Sequence, residues 1–321
     1  MILKRLFSLL LAGMMLLGGL SGCSAPAEQE ERLSVVATIF PQYDFARQVM
    51  GGDDNLTMLL RPGQEVHSYE PTPQDIIAIQ NCDLFIYVGG ESDAWIEDVL
   101  DGMDTSNMVI LSLMDVVDPL EEDTENVLEN PEEHDHQEDG THLHEEEYDE
   151  HVWTSPKNAM LITQAICDAL CEIDPDNAGQ YQANTADYLT QLEALDAAFR
   201  EVIGDAGRDT LFFGDRFPLL YFVREYGLNY YAAFPGCASE TEPSAATVAR
   251  LIDLVREEEA PVVYQIELSN GNIARSIADS SGARVETFYT CHNITADDFN
   301  AGETYLSLMQ RNVESLKEAL N

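Results

Sequence analysis

Short, almost uninterrupted apolar runs recur through residues 33–120: LSVVATI (33–39), LTMLL (56–60), LFIYV (84–88) and MVILSL (108–113). Runs of this kind fit strands buried on both faces, as in a parallel sheet covered by helices. Helical candidates lie between them, at 41–51, 73–80 and 92–102. The second has its own start signal: Thr72 at the N-cap, Pro73 at the first helical position and Asp75 in the first turn. The pattern repeats after residue 208. TLFFG (210–214), LNYYA (228–232), PVVYQI (261–266) and ARVETF (283–288) read as strands, and 217–227, 243–259, 270–280 and 303–320 as helices. Such alternation predicts two α/β lobes, each with a mainly parallel sheet of roughly four strands and flanking helices.

A different period joins the lobes. Tyr181, Tyr188, Leu192, Leu195, Phe199 and Val202 recur at three- and four-residue spacing, which makes one stripe of a helix over 175–203. With Asp174 as N-cap and Pro175 in the first turn, the stretch predicts one long rigid α-helix of roughly 43 Å at 1.5 Å per residue. The expected division is an N-terminal lobe at 33–173, a linker helix at 174–205 and a C-terminal lobe at 206–321, with a cleft between the lobes.

Residues 1–22 do not fit the fold. Lys4 and Arg5 precede an apolar stretch from Leu6 to Leu20, shorter than a bilayer span, and the stretch ends in Leu20-Ser21-Gly22-Cys23. This ending resembles a bacterial lipobox, in which the cysteine is acylated and becomes the first mature residue. Residues 1–22 are then a signal peptide, Cys23 a lipid anchor and 23–32 a polar tether. The chain is expected on the outer face of the cytoplasmic membrane, held there by lipid alone.

Charge narrows the function. Lys and Arg total 16 against 59 Asp and Glu, a formal net charge of −43 among 321 residues. Nucleic acid is excluded as a partner, because its affinity rests on basic side chains replacing counterions. Cations are favoured. The 45% hydrophobic content excludes a disordered chain. One segment departs from the rest: residues 118–150 hold 16 acidic residues, no Lys or Arg, and His134, His136, His142 and His144. It reads as a disordered acidic loop able to gather metal ions.

The three other histidines are His67, His151 and His292. His67 lies past a strand end, where open α/β sheets place ligands, and His151 leads into a helix at 156–172. Neutral imidazole is a good ligand for zinc and other first-row metals, so two fixed imidazoles with carboxylates would make a metal site. Beyond Cys23 the chain has five cysteines, an odd number. Cys167 and Cys171, four apart on a helix, read as core residues, and Cys237 with Cys291 is the candidate disulfide.

HSYEPTPQD, CDLFIYVGGESDAW, HVWTSPKNA, FGDRFPLLYFVREYGLNYYAAFPGCASETEPS and AGETYLSLMQRNVESLKEAL resemble, in that order, the ZnuA/TroA-like zinc and manganese substrate-binding lipoproteins of ABC importers. The resemblance covers nearly all of 33–321. It implies one metal ion held between two lobes and delivered by a monomer to a membrane permease driven by an ATPase. His67 then matches the family's first ligand and His151 its second. The third, a His or Glu, has no match in Gly214-Asp215-Arg216-Phe217-Pro218, where Asp215 is the nearest carboxylate. The fourth could be His292, Glu240 or Glu242. Imidazoles and the His-rich loop favour Zn2+, while carboxylates in place of a third histidine would suit Mn2+. The chain has no HExxH, G-x-S-x-G, P-loop or G-x-G-x-x-G, so an enzyme is not expected. A zinc hydrolase and a surface adhesin are the alternatives of other classes.

Overall fold

The eight apolar runs form two sheets of four parallel strands each. The structure is a computed structural model and describes residues 33–65, 69–123, 126–128, 148–236 and 243–321. In the first sheet β1 (Val35–Ala37), β2 (Leu56–Met58), β3 (Leu84–Tyr87) and β4 (Val109–Ser112) lie in the order β2-β1-β3-β4. The second sheet repeats this order as β6-β5-β7-β8, with β5 (Thr210–Phe217), β6 (Asn229–Pro235), β7 (Val262–Ile266) and β8 (Arg284–Phe288). Helices α1 (Phe40–Met50), α2 (Pro73–Gln80) and α3 (Ala94–Asp101) alternate with the first strands. Then α4 (Pro156–Ile173) and α5 (Ala178–Gly204) lead to the second half. There the helices are α6 (Leu220–Tyr226), α7 (Ala245–Glu257), α8 (Asn272–Ser281), α9 (Ala296–Ala301) and α10 (Tyr305–Ala319).

Alternation along the central strands β1, β3, β5 and β7 explains why both of their faces are buried. Val35 and Ala37 join a core shared with α5, whereas Val36 faces an outer cluster with Phe85, Ile79 and Ile96. In the second sheet Leu211 and Phe213 join the shared core, and Phe212 an outer cluster with Leu251 and Ile277. The start of α2 has the expected capping box: Thr72 Oγ1 accepts from the Asp75 amide, and the Asp75 carboxylate accepts from the Thr72 amide at 2.8 Å. The α5 stripe is buried at all six expected positions. It packs against α1 and α4 from the first half and against α6 and α10 from the second. Its 27 residues span roughly 40 Å.

Three local expectations change. Asp174 does not cap the long helix, because α4 ends at Ile173 and α5 starts at Ala178. The Asp174 carboxylate instead clasps the intervening turn, accepting from Asn177 Nδ2 (2.8 Å) and the Tyr181 hydroxyl (2.7 Å). Strand β5 runs on to Phe217 with a register shift between Phe213 and Arg216, so Asp215 lies within the strand and the following helix starts later, at Leu220. Third, the acidic insertion is anchored at both ends. Val127 forms a parallel bridge with Ala232 on β6, and Glu121 an antiparallel bridge with Tyr148. Leu128 donates to the Ala232 carbonyl and Ala232 to that of Asn126, at 3.0 and 3.2 Å. The β6 edge offers unpaired backbone groups, and a chain segment from the first half satisfies them. Tyr221 accepts from the Leu120 amide and donates to the Asp149 carbonyl, and Tyr230 donates to that of Asp123. His134, His136, His142 and His144 lie outside the described residues, as does Cys23.

Cys291 is a buried free thiol, and Cys237, the partner expected for it, lies outside the described residues. Cys167 and Cys171 are also free, with their sulfurs 3.9 Å apart. Among the described residues no helix is long and apolar enough to cross a membrane.

Candidate metal centre

In a parallel sheet with this strand order, connections leave in opposite directions on either side of β1–β3 and of β5–β7, opening a crevice at the carboxyl ends of those strands. The segments that follow β2, β6, β7 and β8 meet in that region. Between them lies a cavity of about 30 Å3, lined by Gln64 and Glu65 from the first half and by Arg216, Gly236, Glu267 and His292, among others, from the second. That is room for one small ion or water.

His151 sits at this junction, fully buried, just before a short 3-10 turn (Val152–Thr154) that leads into α4. Asp149, two residues earlier, accepts both the His151 amide (2.8 Å) and, at 3.2 Å, the ring Nδ1. In the neutral ring that bond puts the proton on Nδ1 and leaves the lone pair on Nε2. Nε2 is buried and has no hydrogen-bond partner. Burial works to lower the pKa of His151, but the charge and hydrogen bond of Asp149, with Glu150 and Glu122 behind them, hold it above its ordinary value. Glu150 is tied in turn to the Ser92 amide and hydroxyl. Gly236 leaves the space for the imidazole: a Cβ there would stand 3.1 Å from His151 Cε1 and 3.0 Å from the Phe217 carbonyl oxygen.

His292 approaches from the second half. Its ring centroid is 4.9 Å from that of His151, nearly perpendicular at 87°, and Trp153 lies beside both, at 5.5 Å from His151 and 5.0 Å from His292. The Trp153 indole donates to the Thr290 carbonyl at 2.9 Å, which ties the His151 turn directly to the His292 segment. Asn293, next along, donates from one amide nitrogen to the carbonyls of Arg61 (3.0 Å) and Gln64 (2.7 Å), and Gly63 donates to the Ile294 carbonyl. Arg216 reaches across to Glu65 at 2.9 Å. The loop after β2 is thereby held against the second half. Leu33–Asn321 forms one compact unit.

The structure thus brings His151 and His292 together. Asp215 is placed differently. Its Oδ1 accepts from the Arg216 amide at 2.9 Å and its Oδ2 from the Ile266 amide at 3.3 Å, with Ser269 as a further side-chain partner. Burial raises its pKa, and these bonds oppose the rise. Asp215 clips the β5 irregularity to β7 and caps no helix. His67, Glu240 and Glu242 lie outside the described residues, and among the described residues no three His, Cys, Asp or Glu side chains form a group able to hold a metal ion. Sequence reasoning passed over Asp149, Trp153, Glu267 and Asn293. Only Asp149 had a local signal, an acid two residues before a histidine.

Two α/β lobes with imidazoles meeting at the strand ends define a two-lobed α/β binding protein. The chain belongs to the ZnuA family, described as the periplasmic component A of the zinc-uptake complex, which matches residues 35–319. It is 31% identical over 320 residues to the zinc-binding lipoprotein AdcA of Streptococcus pneumoniae, covering 97% of this chain and 60% of that protein. The chain therefore spans about three fifths of that relative. It is 30% identical over 290 residues to the high-affinity zinc uptake system protein ZnuA of Bacillus subtilis, covering 90% of this chain and 88% of the relative. The crystal structure of the Zn(II)-bound ZnuA-like domain of pneumococcal AdcA superimposes with a TM-score of 0.72 at 27% identity, over 90% of this chain and 99% of the domain.

Proposed function

We propose that the protein is an extracytoplasmic metal-binding lipoprotein of an ABC importer, capturing Zn2+ between its lobes and delivering it to a membrane permease powered by an ATPase. The observation that carries this reading is His151 Nε2, a buried lone pair without a partner, whose ring is oriented by Asp149 and faces His292 at 4.9 Å. A zinc-binding imidazole commonly donates its other nitrogen to a carboxylate in this way. His151 and His292 are two ligands. His67, two positions after the cavity-lining Glu65, is the third, and Glu240 or Glu242, shortly after the cavity-lining Gly236, supplies the fourth. Asp215 stays a structural clip. The surplus of acid side chains raises the local concentration of cations.

Acylation of Cys23 would anchor the monomer to the outer face of the membrane, and the histidines of the 118–150 segment would gather ions beside the main site. A nitrogen-rich donor set favours Zn2+ over Mn2+. Metal analysis of the full chain, purified without chelator or added metal, tests the reading. One zinc per chain is expected; bound manganese, or a chain that takes up no metal on titration, would overturn it.

A further inference from the structure

Glu267 follows the last residue of β7, on the wall of the cavity that His292 also lines. Its carboxylate is buried and wholly engaged by one turn of the neighbouring chain. Oε2 accepts from the Thr290 amide at 2.8 Å; Oε1 accepts from the Thr290 hydroxyl at 2.6 Å and from the His292 amide at 3.1 Å. Between those two amides sits Cys291 with φ of +59°, a left-handed conformation that an L-residue with a side chain adopts only when its surroundings hold it. Trp153 fastens the same turn from the His151 side through the Thr290 carbonyl. With both oxygens directed at the turn, Glu267 is placed to orient a ligand-bearing segment and not to bind an ion itself.

We infer that Glu267 is the positioning residue of the metal site: it fixes the Thr290–His292 turn so that the His292 imidazole meets His151. The inference rests on the reading of His292 as a ligand. It extends to the second half the arrangement seen at His151, where Asp149 orients a ring, except that here a carboxylate orients the backbone. Burial pushes the Glu267 carboxyl up to about 7, against the pull of its bonds to Thr290 and His292. A buried acid so engaged is an outer partner of a site, a kind of residue whose loss typically weakens metal binding by about 10–100-fold.

The test compares the full chain with Glu267→Gln, Glu267→Asp, His292→Ala and the Glu267→Gln/His292→Ala double variant. Zn2+ affinity is read by chelator competition, site geometry by the visible spectrum of bound Co2+, and fold by melting of the metal-free protein. Glu267→Gln should weaken Zn2+ about 10–100-fold, shift the Co2+ bands while keeping one Co2+ per chain, and add nothing further in the His292→Ala background. Unchanged affinity in Glu267→Gln, or losses that multiply in the double variant, would overturn the inference. A lower melting point with normal affinity and spectrum would reduce Glu267 to a structural residue. Should the glutamine variant not fold, Glu267→Asp keeps the charge and shortens the reach, and the same spectral shift and non-additivity are required of it. A wild-type chain that binds no Zn2+ would instead break the reading of the site itself.

Discussion

His151 and His292 face each other, yet they are held in opposite ways. The hydrogen bonds that orient the His151 ring come from its own segment: Asp149 binds its Nδ1 and amide, and the 3-10 turn carrying Trp153 follows it. His292 depends on Glu267, 25 residues earlier in the chain, and on Trp153, 139 residues earlier. One half of the site is encoded locally and stands on the lead-in to an 18-residue helix. The other forms only when β7, β8 and the first half come together. A side chain of the first kind can be pre-oriented by its own segment; one of the second kind is oriented by lobe assembly.

Replacing each imidazole separates the two. On the proposed reading, His151→Ala removes an oriented ligand and should weaken Zn2+ by more than about a hundredfold, beyond the range typical of outer partners. His292→Ala should cost a comparable factor, and both metal-free variants should melt close to wild type. Isothermal titration or chelator competition reads the affinities. Equal, small losses in both would mean that the described imidazoles are not the centre of the site.

Asp149→Asn tests the local half at the next level. The amide oxygen can still accept one bond, but the charge that holds the proton on Nδ1 is gone. Binding should weaken by about 10–100-fold. The pH midpoint of Zn2+ binding should shift downward, because Asp149 raises the pKa of His151 and protons then compete less for the ring. Competition titrations across the pH range check this. A variant as tight as wild type with the same midpoint would remove Asp149 from the site.

The same contrast decides what was legible in the sequence. Thr72-Pro73-Asp75, the α5 stripe and all eight apolar runs act through neighbours in the chain, and each lies where its pattern placed it. Val127 could not be read as part of a sheet, because a single valine among acids has no period and its pairing with Ala232 spans the chain. The setting of Asp215 within a strand could not be read for a related reason. TLFFG ends in Gly214 and looks complete, but Arg216 and Phe217 pair with Phe234 and Pro235 of β6, and the strand runs on to Phe217. Glu267 gave no signal because its three bonds all go to a turn on another strand. Resemblance named His67 and His151, while the ring contact of His151 with His292 emerged from tertiary packing.

The smallest expected effect concerns Asp93, which belongs to the local half through Glu150 but touches no imidazole. Its carboxylate accepts from the amides of Val88 (2.8 Å) and Gly89 (3.3 Å), and burial pushes its pKa up to about 6 despite those bonds. An unfolded aspartate titrates near 3.9. The folded chain therefore holds a proton between about pH 4 and pH 6 that the unfolded chain has released, so this group's stabilisation is complete below pH 4 and is lost as pH rises through 6. Asp93→Asn keeps an acceptor for both amides and never ionises. In metal-free protein its stability should match wild type near pH 4 and exceed it above pH 6, by on the order of 1 kcal/mol. Urea unfolding of both chains at a series of pH values measures the difference. A gap that is constant with pH would mean that ionisation of Asp93 is not its source, and a gap that widens toward low pH would reverse the sign.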